Sequence, residues 1–324
     1  MSQSISFQLN NRQLLLLSDI CLILVAAIWG SSYGMAKISL QFYPVLGFLA
    51  IRFGLTSLIL FPILISTYRR NPAQLKQTIA AGLPLGAILL TIFLFETYGL
   101  FYTTAANAAF LISLCLIMTP FMEWAVLKNR PHNRVFVCAL LSLFGTYLLT
   151  MDAQDSVNAS SMLLNLGDGL ILCAALARAV MVTMTKKLVD NQPLEVLDRE
   201  TSKTKQPISS LALTAVQSIM VFIGCLFSFL ITQIYSNGVI DLPNQSAFWL
   251  PTLYLVIFCT IFAFFVQNWA VKIGSPSRAS LLMGSEPVFG ALFAVLLLNE
   301  QIGVLGWLGG GLITVASVAL VVKR

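Results

Sequence analysis

Charge is scarce in this chain of 324 residues: Asp, Glu, Lys and Arg make up 10% of it, against roughly 25% in a soluble domain. A water-soluble fold of this size could not cover its surface with so little charge, so that class is excluded. Histidine is rarer still. The single histidine, His132, excludes a histidine-rich metal site. It also leaves no partner for nucleophilic catalysis inside the apolar segments. GSSYG at Gly30–Gly34 matches GxSxG in form only, because that motif needs a strand-to-helix elbow. No GxxxxGK[ST] phosphate loop occurs, which argues against a pump driven by its own ATP hydrolysis. The six cysteines, Cys21, Cys115, Cys138, Cys173, Cys225 and Cys259, all fall in apolar runs and read as small buried residues without a disulfide framework. No catalytic residue, metal site or cofactor is expected.

What the chain has instead is hydrophobic residues, 58% of the total, and a mean hydropathy of +0.87. They gather into ten runs: 17–38, 44–67, 79–101, 105–127, 133–151, 166–188, 209–234, 248–272, 277–298 and 303–322. A run of about 20 residues spans a hydrocarbon core of roughly 30 Å as helix. Helix is the default, because backbone in lipid must satisfy its own hydrogen bonds. Runs such as LCLIMTPF and FAVLLL do not alternate as barrel strands would. The expectation is an all-α integral membrane protein with ten transmembrane helices. The first run resembles a signal peptide, but nine more follow, so it is read as the first helix.

The net charge of +6 invites a nucleic-acid reading, and the positions of the charges reject it. With the N-terminus inside, the inner segments hold 16 of the 19 basic residues, from Arg12 to Arg324. The outer segments hold only Lys37, with Asp152, Asp155, Asp168, Asp241 and Glu300. The positive-inside rule then puts both termini of this multi-pass chain in the cytoplasm.

The halves resemble each other. LILVAA at Leu22–Ala27 matches LILCAA at Leu170–Ala175, each just after an aspartate (Asp19, Asp168). AFLISL from Ala109 aligns with ASLLMG from Ala279. An odd number of spans per half inserts the second half upside down, a common build for secondary transporters. The expected organisation is a first five-helix repeat over 15–151, a second, inverted, over 166–324, and a cytoplasmic linker over 189–207.

AAIWGSSYGMAK, RFGLTSLIL and GLFYTTAANAAFLISLCLIMTPF in the first half, with GDGLILCAALARAVMVTMTKKL and QNWAVKIGSPSRASLLMGSEPVFGALFAVLLLNE in the second, resemble the EamA-type branch of the drug/metabolite transporter superfamily. The resemblance covers nearly the whole chain. It implies a carrier of small metabolites in a bacterial inner (plasma) membrane, often an exporter, with a central cavity between the repeats. The pattern departs at the fourth span, which ends VLKNRP with Arg130, whereas the ninth ends LLLNEQ with Glu300.

Charges inside the runs are the candidate site. Glu96 lies roughly 8 Å, and Arg52 roughly 12 Å, from the outer ends of their spans at 1.5 Å per residue. Similar depth makes them a candidate pair, either structural or on the transport path. Arg178 and Glu286 sit near the midplane, where ionisable residues face the bundle interior or a wet cavity. They either neutralise each other or receive a zwitterion such as an amino acid, and Glu96 or Glu286 could carry a proton. Glu123, near an inner end, is expected to reach the cytoplasmic surface. Trp29, Tyr33 and Tyr98 could stack on a ligand. Asn107, Ser113 and Gln267 offer neutral hydrogen bonds. Pro120 and Pro287 are helix-break candidates, since proline frees a carbonyl. Gly30/Gly34 and Gly306/Gly310 form GxxxG faces, either for internal packing or for a homodimer.

The function expected is secondary active export of small metabolites across the inner membrane, with amino acids, related zwitterions or drugs as cargo, by alternating access and with protons as a candidate coupling ion. A facilitative carrier or channel-like uniporter is the alternative; a membrane-embedded enzyme or a scaffold ranks below it.

Overall fold

The computed structural model describes residues 11–103, 105–155, 165–190, 208–236, 242–298 and 303–322. Among them the secondary structure is entirely helical: α1 (Asn11–Leu40), α2 (Val45–Arg70), α3 (Pro72–Tyr102), α4 (Ala105–Ser113), α5 (Cys115–Leu127), α6 (Asn133–Asp155), α7 (Leu166–Asp190), α8 (Ser210–Ser236), α9 (Ser246–Tyr254), a π-helical segment (Leu255–Phe262), α10 (Ala263–Ile273), α11 (Pro276–Met283), α12 (Glu286–Leu298) and α13 (Val304–Val322). Seven stretches of the described residues are long and apolar enough to cross a membrane: α1, α2, α3, Phe110–Leu127, α7, α8 and Ser246–Ile273. Most of the linker, 191–207, lies outside the described residues, as do Asp241 and Glu300.

Two helix starts differ from the hydropathy reading. α1 begins at Asn11 rather than 17, and α3 at Pro72 rather than 79. At α3 the cause is local. The Asn71 side chain accepts from the backbone N–H groups of Ala73 and Gln74, both at 3.1 Å, and Pro72 fills the first helical position. A cap and a proline start a helix whatever the polarity of its first turn.

Two helices are interrupted, and the breaks face each other. Leu114 separates α4 from α5 with a tight turn, its N–H on Leu111 O at 3.2 Å. Gly284 and Ser285 separate α11 from α12. The pairing of Ala109 with Ala279 carries Leu114 onto Gly284. A Cβ on Gly284 would fall on the Leu116 side chain. Close by, Thr119 Oγ1 donates to Ser280 Oγ at 3.1 Å. The prolines are not the break points. Pro120 lies within α5 and Pro287 is in the first turn of α12, where a missing N–H costs nothing.

Side-chain contacts set the helix directions. Along α1, Asp19 meets Arg278, Trp29 meets Cys259 and Ser39 meets Thr252. Along α7, Asp168 meets Thr103, Arg178 meets Glu96 and Lys186 meets Lys272. Lys272 and Arg278 flank one short connection, so Asp19 and Lys186 share an end of the bundle. Asp168 lies at the opposite end of α7, hence α1 and α7 run antiparallel. The main helix pairings also recur. α3 packs on α7 as α1 packs on the α9–π–α10 stretch. α4–α5 packs on α7 as α11–α12 packs on α1, while α2 meets α8 and α6 meets α13.

Small residues bring these pairs close. Gly145 and Gly309 bring the backbones of α6 and α13 together, and Gly30 lies on the first turn of α12. Of the GxxxG glycines, Gly30 makes such a contact, whereas nothing lies within 4 Å of a Cβ placed on Gly34 and Gly310 has only the edge of Val288 nearby. The outer surface is apolar, with Leu58, Phe227, Ile234 and Trp307 all more than half exposed. Cys173 is exposed there too, unlike the buried placement expected of all six cysteines.

Candidate functional site

A cavity of about 70 Å³ lies between the two halves, bordered by α1, α2, α3, α4, α5, α7, α10, α11 and the start of α12. Four acidic or basic side chains line it: Arg52, Glu96, Arg178 and Glu286. Trp29, Phe93, Phe264 and Met283 make much of its remaining wall.

Arg178 is the hub. Its Nη2 donates to both oxygens of Glu96, at 3.1 and 3.0 Å, and its Nη1 lies 3.6 Å from Glu286 Oε2. The Trp29 ring lies 5.0 Å from the guanidinium centre, within cation–π range. Glu286 is the first residue of α12, where the unpaired N–H groups of a helix start favour a carboxylate. Its Oε1 is buried close to the equally buried hydroxyl of Tyr33. One guanidinium thus serves two carboxylates.

Arg52 does not pair with Glu96 as its depth suggested. Its Nε donates to Thr260 Oγ1 at 2.9 Å, and its guanidinium lies 4.9 Å from the Phe93 ring centre and 5.6 Å from that of Phe53. The π-helical turn arranges this. Thr260 Oγ1 donates to Leu255 O, five residues back, at 2.9 Å, while Cys259 O accepts from Trp29 Nε1 at 3.0 Å. A widened turn frees backbone acceptors that an α-helix would use internally, and such bulges gather at functional sites. Thr260 was not a sequence candidate. A lone threonine in LVIFCTIF carries no signal, since threonine hydroxyls in membrane helices usually bond their own backbone.

The remaining candidates divide. Ser113 and Gln267 line the cavity, and Ser113 Oγ donates to Phe110 O at 2.6 Å. Asn268, the residue after Gln267, instead holds helices together through Thr214 at 3.0 Å and Gln217 at 2.9 Å. Tyr98 is half-buried against the core and does not border the cavity. Asn107 lies in α4, and its side chain is outside the described set. Glu123 does not reach the surface: it is 3% exposed, and its Oε2 accepts from both the N–H and the hydroxyl of Ser277. The start of α11 supplies those donors, which is why a carboxylate so near a helix end stays inside.

Ion-pair and capping contacts lie at opposite ends of the bundle. Where α11 starts, Arg278 grips Asp19 with two hydrogen bonds of 2.9 and 2.7 Å. At the other end Asp168 Oδ1 accepts from Thr103 at 2.6 Å, and Oδ2 from the Asn165 N–H at 3.1 Å. In both places an aspartate near the start of one half's first helix binds a connection of the other half.

The model of the EamA-like transporter family matches residues 16–151 and 201–322. The chain belongs to the EamA-like transporter family. Among curated relatives, an uncharacterized transporter of Archaeoglobus fulgidus is 27% identical over 303 residues, covering 94% of this chain and 85% of that one. A second from the same organism is 26% identical, covering 95% and 98%. The uncharacterized transporter YetK of Bacillus subtilis is 24% identical, covering 89% and 84%. A solved crystal structure superposes with a TM-score of 0.69 at 17% identity, over 95% of this chain and 96% of the other, a likeness of fold. This EamA-like chain is therefore a multi-pass membrane protein and a transporter, whose surroundings are a lipid bilayer and a small-molecule substrate.

Proposed function

We propose that the protein is a secondary active carrier that exports small solutes across the plasma membrane by alternating access. Its ten membrane segments form two five-segment repeats of opposite orientation. The observation that carries this reading is the antiparallel course of α1 and α7 around one charged cavity. The recurring helix pairings and the facing breaks at Leu114 and Gly284 support it. So do the inner-segment lysines and arginines, which place both termini in the cytoplasm.

In this reading the Asp19–Arg278 and Asp168–Thr103 contacts are latches at opposite ends of the path. A cavity of about 70 Å³ is small against the roughly 300–1,000 Å³ of a drug-sized site, so cargo enters or leaves only when one latch parts. Joining Asp19→Cys to Arg278→Cys with a short, reductant-cleavable bis-thiol reagent, after replacing the six native cysteines, is expected to stop transport. Reductant is expected to restore it. Transport that continues in the cross-linked protein removes the latch role.

The cluster of Glu96, Arg178 and Glu286 carries one excess negative charge when both carboxylates are ionised. A single proton neutralises it, which makes the cluster the proposed coupling site. Cells overproducing wild type are expected to enrich the medium in a solute. Cells with Glu96→Gln at matched membrane levels are expected to lose that enrichment across pH 5.5 to 8. Equal enrichment by both would leave export standing and remove Glu96 from proton coupling. No enrichment by wild type would overturn export.

A further inference from the structure

We propose that the stripe of α2 ending in Arg69 and Arg70 binds an anionic phospholipid of the cytoplasmic leaflet, with the phosphate held by the two guanidiniums and an acyl chain lying along the helix. The site is separate from the charged cavity and does not depend on what the protein carries.

A groove of about 500 Å³ opens on the outer surface of α2, lined by Pro62, Ile65, Ser66, Arg69 and Arg70. All five are exposed. They stand at i, i+3, i+4, i+7 and i+8, the spacing of one helix face. The same face continues deeper through Leu58 and Phe61, which are 71% and 52% exposed. Along this stripe the chemistry changes in order: apolar from Leu58 to Ile65, a hydroxyl at Ser66, then two arginines in the last turn. Pro62 to Arg70 covers about 12 Å of helix rise at 1.5 Å per residue. A phospholipid presents its chain, glycerol ester and phosphate in the same sequence. The distribution of basic residues puts this end of α2 in the cytoplasmic leaflet, where anionic lipids attract them.

The two arginines are also unspent. Other cations of the inner segments are engaged within the protein: Arg278 with Asp19, Lys186 with Lys272 O, and Lys272 with Ile208 O. Arg130 lies 5.3 Å from the Trp124 ring centre. Among the described residues, the side chain of neither Arg69 nor Arg70 makes an ion pair or hydrogen bond. No acid is close in sequence either, since no Asp or Glu lies between Asp19 and Glu96. Adjacent guanidiniums repel each other, and a phosphate between them removes that repulsion while accepting from both. Complementing the dipole at a helix C-terminus asks only for positive charge. The arginine fork adds directional donors that phosphate oxygens match.

The test is native mass spectrometry of the full chain, released from detergent micelles after equilibration with equimolar dioleoyl-phosphatidylglycerol and dioleoyl-phosphatidylcholine. Wild type is expected to retain phosphatidylglycerol roughly tenfold over phosphatidylcholine. Arg69→Gln with Arg70→Gln is expected to remove that preference and, because both positions are exposed, to leave the lipid-free melting temperature near wild type. Arg69→Lys with Arg70→Lys, which keeps the charge but not the fork, is expected to keep about a third of the preference. Lys128→Gln with Arg134→Gln, at another inner helix end, is expected to keep all of it. Inorganic phosphate in large excess is not expected to displace the lipid, because the chain contributes its own contacts along Pro62 and Ile65. Equal retention of both lipids by wild type would overturn the site. So would a preference that survives Arg69→Gln with Arg70→Gln, or one lost as fully in Lys128→Gln with Arg134→Gln. Displacement by phosphate would overturn the lipid assignment in favour of a free anion.

Discussion

Arg178→Met is expected to abolish transport and to lower the stability of the purified protein by about 3–5 kcal/mol, the usual cost of removing one partner from a buried ion pair. The effect is large because Arg178 holds two carboxylates from different helices, Glu96 of α3 and Glu286 of α12. Without it, two negative charges face each other across a low-dielectric cavity. The same reasoning fixes the repair. Adding Glu96→Gln and Glu286→Gln to Arg178→Met removes the stranded charges and is expected to recover most of the lost stability. It is not expected to recover transport, because the proposed proton site is gone. Melting temperature in detergent and solute exchange in proteoliposomes, measured on the same preparations, separate the two effects. A triple variant as unstable as Arg178→Met would show that the destabilisation comes from lost packing on Trp29, not from charge.

The second large effect is expected at Gly30, where Val should prevent accumulation of folded protein in the membrane. A Cβ at this position meets Glu286 O and Gly290 N, both at 2.7 Å, and both are backbone atoms of α12. Side chains can swing away from a clash, but helix backbone cannot. Overpacking in general costs about 1–3 kcal/mol, and here α1 must also separate from the turn that carries Glu286. Gly34 is the control on the same helix. With nothing within 4 Å of its Cβ position, Gly34→Ala is expected to leave accumulation and melting temperature near wild type. Equal damage at both positions would mean that glycine's backbone properties, not the α1–α12 contact, are what α1 requires.

Much of the scaffold was legible from composition and pattern. Long apolar runs have few ways to satisfy their backbone other than helix, and the bilayer sets their length, so hydropathy locates the helices. It locates their ends poorly where a cap decides, as at Asn71–Pro72. Depth along a helix is likewise legible, and it picked Arg52, Glu96, Arg178 and Glu286 for the cavity they all line. Partner choice is not. Arg52 and Glu96 lie at similar depth, yet Glu96 binds Arg178, because depth fixes one coordinate and rotation about the helix axis fixes the other two. Glu123 was misplaced for the same reason: the start of α11 that receives it is more than 150 residues away in sequence.

By itself the sequence determined that the chain is an all-helical membrane protein with a handful of deep charges, and its ordered motifs pointed to an EamA-like transporter. Those features follow from composition, period and insertion energy, which are local. Only the tertiary structure decided which charge meets which. It showed Arg178 shared by two carboxylates, Arg52 anchored by a threonine on a π-helical turn, and two facing helix breaks that shape the cavity. Those contacts depend on helix rotation and on sub-ångström fit at glycine crossings, where a side chain added from one helix collides with the backbone of another.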